Sequence, residues 1–220
     1  RVLEAVSEAG LERVVTVGPE SVRSDLVIGD WRCEGENAIE NVRLGLSALG
    51  HAVEAALLLP ADAPLIAAPM LQRFMQSIES RASGADPWCA AGICPAEEFA
   101  SAFPGAPMRT IGLREGKFVS GALYAATPTA IHNALEILTH MRRARNRPFA
   151  MVRRLGLWNL LRYGMGRVGI ADAERVVGAA FDSRAMIDPT AHPATCMDFD
   201  TVEEYRLLQR WFQRRHAMPN

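Results

Sequence analysis

The sequence predicts a three-layer α/β/α domain on a mixed, mainly parallel sheet, and three observations carry that expectation. Amphipathic helical stretches alternate with short apolar runs along most of the 220 residues, the pattern of helices covering both faces of a sheet. The run Ala55 to Leu59 is uninterruptedly apolar, as in a parallel strand buried on both faces. Two later runs joined through Glu115-Gly116 read as a hairpin, which makes the sheet mixed.

Taken from the amino terminus, Val2, Val6 and Ala9 fall on one helical face and Gly10 suits the stop. Arg13 to Val17 then reads as a buried strand ending at Gly18. Ser24 to Ile28 reads as a second short strand, followed by Gly29-Asp30 and a polar loop to Glu36. Ile39, Val42, Leu46 and Leu49 mark a helix stopped by Gly50, and the apolar strand Ala55 to Leu59 ends at Pro60. Met70, Phe74 and Ile78 recur at helical spacing and predict one buried stripe. Cys89 to Ile93 is the next strand, and Thr110 to Leu113 with Phe118 to Tyr124 form the hairpin. Helix-forming residues dominate from 128 to 180, which we read as an Arg-rich helical elaboration within a single domain spanning 1–220. Ala185 to Ile187 and Cys196 to Phe199 return to strand character, and Val202, Tyr205, Leu208 and Phe212 define a closing amphipathic helix.

Composition narrows the function classes. The chain is 49% hydrophobic and 22% charged, with 24 basic against 25 acidic residues, which places it with soluble globular proteins, expected in the cytoplasm. A pI near 6.6 argues against a nucleic-acid binder, whose footprint is a basic domain. The longest apolar stretch, Ala55 to Leu65, contains Asp62 and falls short of the roughly 20 residues a membrane span requires. Lys117 is the single lysine, so an active-site lysine has almost no candidates. Cys89 and Cys94 lack a second Cys or His pair to complete a zinc site and read as buried reduced thiols, and the histidines fall into no ligand spacing. No nucleophilic Ser or Cys motif is present.

The most informative segment is Leu57 to Ile66, which carries Pro60, Asp62 and Pro64 just past the apolar strand. Open α/β sheets bind ligands at the carboxyl ends of their strands, and a carboxylate there can hold magnesium, which keeps several waters and substrate phosphates in its remaining positions. Asp62 equally suits a cap for the following helix, with Pro64 near its first turn. Spacing alone leaves both readings open.

Asp62-Ala-Pro-Leu resembles the Asp-x-Pro-Leu element of MobA-like nucleotidyltransferases, within the nucleotide-diphospho-sugar transferase superfamily of GT-A-like, Rossmann-like folds. That superfamily includes molybdenum-cofactor guanylyl- and cytidylyltransferases and methylerythritol-phosphate cytidylyltransferases. Gly35-Glu36, then Asn41-Val42 and Gly45-Leu46, is similar to the segment that contacts base and ribose, with Asn41 where Ser is common. Met197 to Glu204 resembles the C-terminal acidic element, so the resemblance gives Asp198 and Asp200 to the metal or acceptor side. Thr201 and Glu204 also fit a capping box, and for Asp200 a capping role competes with metal binding. Ser120-Gly121 and Arg109-Thr110 resemble segments bordering the acceptor pocket.

The resemblance implies Mg2+-dependent transfer of a nucleoside monophosphate from a triphosphate to a small phosphorylated or hydroxyl acceptor, with release of pyrophosphate. Asp62 would be the catalytic metal ligand, Gly35, Glu36 and Asn41 would bind nucleotide, and Arg109, Ser120 and Gly121 would bind acceptor. The family's Leu-Ala-Gly-Gly loop followed by Arg and Lys is not among these residues; the chain opens on Arg1, and Arg1 to Val6 is similar to the helix after that loop, so we expect it ahead of Arg1 in the gene product. Two other readings stand beside this one: a nucleotide-sugar glycosyltransferase, and a non-catalytic nucleotide-binding or regulatory protein.

Two further features compete for attention. Gly164-Met-Gly166-Arg-Val-Gly169 satisfies G-x-G-x-x-G with Asp188 downstream, the dinucleotide fingerprint on paper, but Leu157 to Tyr163 reads as helix where a strand must precede the loop. Between Glu136 and Asp172 eight arginines, from Arg142 to Arg167, occur without an acidic residue. They fit solvated helix faces, an anionic acceptor pocket or lid, or a peripheral surface for anionic lipid.

Overall fold

The computed structural model describes residues 1–220 apart from 26–28, 51, 83, 85–86, 144–166, 200, 203, 207 and 210–220. Helix α1 (Val2–Glu8) leads into β1 (Val15–Gly18), which pairs in parallel with β2 (Asp30–Cys33), Val15 opposite Asp30. The sequence placed a polar loop at β2. It is a strand because its pairing is fastened at both ends, Asp30 N donating to Val14 O at 2.9 Å and Glu34 N to Gly18 O at 3.0 Å. As a mostly exposed edge it needs no apolar alternation, so composition hides it. Between the two strands Glu20–Asp25 forms 3-10 turns where a strand was expected from Ser24; residues 26–28 of that expected strand lie outside the described residues.

Helix α2 (Ala38–Leu49) starts at Asn37, whose side-chain oxygen accepts from Ile39 N and Glu40 N, and stops at Gly50 with φ +74°. Asn37→Ala should lower stability by about 1 kcal/mol, read from the urea midpoint at unchanged slope. There follow β3 (Ala56–Leu58), α3 (Ala68–Glu79), β4 (Trp88–Pro95), α4 (Ala96–Ala102), the hairpin β5 (Thr110–Leu113) and β6 (Gly116–Ala126), α5 (Pro128–Arg143), α6 (Ile170–Phe181) and β7 (Arg184–Asp188).

The five-stranded sheet runs β3-β6-β4-β7, with β5 also on β6. Strands β3, β4 and β5 are antiparallel to β6, and β7 is parallel to β4, so β6 alone runs against the rest. The sheet is mixed, as predicted, but the paired neighbour of β3 is antiparallel rather than parallel.

Helices cover both faces. On one, Val6, Leu71, Phe74 and Ile78 pack with Leu123, Ala125 and Met186; on the other, Ile39, Val42 and Leu46 with Ala130, Ile131 and Leu135 pack over Ala56 and Ala126. The buried stripe of α3 is Leu71, Phe74 and Ile78, with Met70 only half-buried against a third cluster at the sheet's end. That cluster joins Leu65, Cys94, Phe99, Phe103, Val119, Cys196, Met197 and Leu208.

Residues Pro193–Cys196 form a 3-10 turn and 197–199 are irregular, where a strand over Cys196 to Phe199 was expected. Thr195 explains the difference, its N–H and hydroxyl both donating to His192 O at 2.8 Å, which closes a turn and directs Cys196 and Met197 into the third cluster. The expected capping box is present: Thr201 N donates to Glu204 Oε2 and Glu204 N to Thr201 Oγ1. Leu208 of the closing helix is buried, Val202 and Tyr205 are exposed, and Phe212 lies outside the described residues.

Glu174 ties three elements together. Its Oε1 accepts from Arg81 Nη2 at 2.6 Å and Ile187 N at 2.7 Å, while Arg81 Nη1 donates to Ile187 O at 2.8 Å. Glu174→Ala strands a β7 amide and a partly buried guanidinium, so we expect a loss of about 2 kcal/mol in chemical denaturation.

Candidate active site

The register of β6 defines the site. Strand β4 holds one edge of β6 along both its ends, so β3 and β5 share the other edge, β3 at Tyr124–Ala126 and β5 at Gly116–Val119. Between them, residues 120–123 of β6 pair with no strand on that edge among the described residues, leaving a window. The chain leaves β3 at Leu58, opposite Tyr124, and reaches Asp62 from this side of the window. It enters β5 at Thr110, opposite Val119, so Arg109 lies level with Ser120 at the other side. Both Arg109 and Ser120 are exposed.

Asp62 sits in a turn, and Ala63, fully buried, anchors that turn in the core beside Ala122 and Leu123. The Asp62 Oδ1 atom is buried and has no hydrogen-bond partner among the described residues. The capping alternative is overturned: α3 begins at Ala68, its N-cap is Ala67 without a side-chain cap, and Pro69 stands in its first turn. A buried carboxylate oxygen left unsatisfied is costly unless a cation completes it. The donor chemistry of Asp62 is compatible with a hard divalent cation, but no group of three or more His, Cys, Asp or Glu side chains gathers into a metal site among the described residues.

Gly121, expected at the acceptor pocket, holds a tightly packed position in the sheet. It is buried, and a Cβ there would stand 2.8 Å from Gly92 O, 3.3 Å from Cys196 Sγ and 3.4 Å from Thr195 Oγ1. Together with Gly92, whose own Cβ would meet Ala191 Cβ at 3.1 Å, it lets the segment from Ala191 to Cys196 lie directly on the strands. Ala191 N donates to Ile93 O at 3.1 Å and Cys196 Sγ to Val119 O at 3.7 Å to hold it there. Asp198, two residues beyond this platform, is exposed and already engaged in a polar interaction. Asp200 lies outside the described residues. Gly92 and Thr195 carried no sequence signal, since a small residue in a strand reveals its purpose only once its neighbour is known.

Gly35, Glu36 and Asn41 form a second group at the start of α2. Gly35 N donates to Asn41 Oδ1 at 2.7 Å and Glu36 N to Glu40 Oε2 at 2.7 Å. A Cβ at Gly35 would stand 2.5 Å from the Glu40 side chain, which would have to shift and give up its bond to Glu36 N to admit one. The loop is thereby fixed against the helix, with Glu36 exposed. At the adjoining strand ends Glu20 accepts from Cys33 Sγ at 3.0 Å, a bond that lowers the Glu20 carboxyl and raises the Cys33 thiol from their ordinary values.

The dinucleotide fingerprint loses its remaining support. Gly169 caps α6, but the Glu115 carboxylate occupies the helix start, accepting from Ile170 N at 3.1 Å, where a pyrophosphate would need to sit. Asp188 is buried and accepts from Thr190 N and Oγ1, a local turn rather than a ribose contact. Gly164, Gly166 and most of the arginine stretch, 144–166, lie outside the described residues. No described helix is long and apolar enough to cross a membrane.

No family model and no curated protein matches the chain. Solved structures do. A hypothetical transferase from Thermus thermophilus superposes with TM-score 0.76 at 26% identity, covering 92% of this chain and 83% of its own. 4-Diphosphocytidyl-2C-methyl-D-erythritol synthase from Anaerococcus prevotii gives 0.59 at 11% identity over 96% of this chain and 87% of its own. 2-C-methyl-D-erythritol 4-phosphate cytidylyltransferase, also from Thermus thermophilus, gives 0.52 at 15% over 97% and 86%. Over nearly its whole length, therefore, this chain has the mixed α/β fold of nucleotidyltransferase-like transferases.

Proposed function

We propose that the chain is a magnesium-dependent nucleotidyltransferase that moves a nucleoside monophosphate from a triphosphate to a small phosphorylated or hydroxyl acceptor. The single observation that carries this reading is the window on β6, with the unsatisfied Asp62 carboxylate on one side and the exposed Arg109 level with Ser120 on the other. Support comes also from the resemblance at Asp62-Ala-Pro-Leu and from the cytidylyltransferases among the structural neighbours.

Transfer of this kind depends on positioning and on neutralising developing charge. Asp62 would hold magnesium, which, when bound, offsets the negative charge of the phosphates. Asp198 and Asp200 would support that site from the far segment. Gly35, Glu36 and Asn41 would border base and ribose on the rigid loop ahead of α2. Arg109 would grip the acceptor anion in a bidentate way, and Ser120 beside it would donate a hydrogen bond.

The direct test is thermal stabilisation of the full-length protein by a panel of nucleoside triphosphates with magnesium, followed by pyrophosphate release with phosphorylated and hydroxyl acceptors. Release of pyrophosphate that depends on both triphosphate and acceptor supports the proposal. Binding without release would overturn the transfer reading and leave nucleotide binding alone. Arg109→Ala should raise the KM for a phosphorylated acceptor about 10- to 100-fold, the value of one charge-assisted contact, with triphosphate binding unchanged. Equal weakening of both ligands would remove Arg109 from the acceptor side.

A further inference from the structure

We propose that Cys94 and Cys196 are a redox pair whose oxidation ties the turn Pro193–Cys196, and the Asp198 segment after it, to the end of β4. The sequence offered Cys89 and Cys94 for comparison because they are close along the chain. The structure instead brings Cys94 to Cys196. Cys94 stands directly opposite Val119 in the β4–β6 register, and Cys196 Sγ donates to the carbonyl of that same Val119 at 3.7 Å. Both cysteines belong to the cluster at the sheet's end, Cys94 with no exposed surface and Cys196 with 7%. The Cys94 thiol donates to Pro95 O at 3.3 Å, so both sulfurs lie at the same end of the β4–β6 pairing, and each is the neighbour that shifts the other's titration. Cys33 is exposed and bonded to Glu20, and Cys89 is half-buried in a different cluster, so neither competes for this partnership.

Proximity gives the two thiols different parts. The Cys196 neighbour lowers the Cys94 thiol, whereas Cys94 and burial raise the Cys196 thiol. With a hydroperoxide as oxidant, the Cys94 sulfur attacks the terminal oxygen and the O–O bond breaks. The departing alkoxide takes the Cys94 proton and leaves as an alcohol, or as water from hydrogen peroxide, leaving a sulfenic acid at Cys94. Cys196 Sγ then attacks the Cys94 sulfur, and hydroxide leaves with the Cys196 proton as water. Two thiols give up two electrons, the peroxide accepts them, and one S–S bond forms. The bond closes a long loop between β4 and the segment that ends at Asp198, so it restrains that segment relative to the sheet. The proposal concerns this restraint and does not depend on the transfer reaction.

The test uses the full chain carrying Cys33→Ser and Cys89→Ser, which leaves these two thiols alone, treated with hydrogen peroxide. Peptide mapping should find residue 94 cross-linked to residue 196, with both thiols lost to titration after unfolding and restored by dithiothreitol. The thermal midpoint of the oxidised form should rise by roughly 5–10 °C, and a third substitution, Cys196→Ala, should abolish that rise. Peptide mapping of the oxidised four-cysteine chain gives the same answer should the double variant fold poorly. Two titratable thiols after peroxide treatment, or oxidation of Cys94 to a sulfinic acid without a cross-link, would overturn the proposal. No nucleotide enters the assay, so either outcome leaves the transfer reading to its own experiment.

Discussion

Asp62→Asn should weaken magnesium-dependent triphosphate binding about 100- to 1,000-fold while leaving the metal-free fold as stable as before. The two halves of this expectation come from one atom. Asp62 Oδ1 is buried without a hydrogen-bond partner among the described residues, so an amide of the same shape gives up no protein contact at that atom. With a divalent cation present the carboxylate charge becomes the attraction that holds the ion. Removing one partner of a buried charge pair costs about 3–5 kcal/mol, and the lower part of that range corresponds to the stated loss in affinity. Thermal shift and calorimetric titration with magnesium and triphosphate read the first half; the urea midpoint without metal reads the second. In the parent protein, chelation should remove the triphosphate-induced stabilisation, a midpoint fall of roughly 5–10 °C at ligand about 100 times its Kd. Unchanged binding in the variant would take Asp62 out of the metal role. A metal-free stability loss above about 1 kcal/mol would mean that its carboxylate makes a structural bond after all.

How far the site was legible in the sequence depended on whether its signal was local. Ala55 to Leu59 followed by Pro60 announces a buried strand with a sharp exit, and Asp62 is placed at that exit by chain connectivity alone. Whether Asp62 caps or binds was not decidable by spacing, because an acidic residue before a Pro-containing helix start suits both. The answer needed the position of the helix: α3 starts at Ala68, too far along for Asp62 to be its N-cap. Strand β2 was missed because an exposed edge has no apolar alternation, and the strand expected at Cys196 to Phe199 was a buried turn whose apolar residues mimic one. Arg109 and Ser120 were chosen by resemblance, but their placement level with each other is a property of the β5–β6 register. The window they border exists because β3 and β5 each stop short on the same edge, and no single segment encodes that.

Gly121→Ala should destabilise the fold by about 1–3 kcal/mol, a fall of roughly 3–10 °C in the thermal midpoint, and should lower transfer activity further than the loss of folded protein explains. The added Cβ would lie 2.8 Å from Gly92 O, a backbone atom on the neighbouring strand that no side-chain rotation can move aside. Either β4 and β6 spread at the point where their register already shifts, between Ala91 and Ile93, or the turn above is lifted off the sheet. Thr195 and Cys196 stand within 3.4 Å of the same position, so lifting that turn displaces the segment that carries Asp198. The control is Gly112→Ala on β5, where a Cβ meets nothing within 4 Å. That change should stay within about 0.5 kcal/mol, and shift the midpoint little. A sequence cannot separate these two glycines, since both lie in strands of one hairpin. What separates them is that the Ala191–Cys196 segment lies on β4 and β6 at Gly121 with no room for a methyl group, so close packing of the sheet and placement of the segment that leads to Asp198 depend on the same missing atom. Equal effects of the two substitutions would show that the platform is not what positions the Asp198 segment.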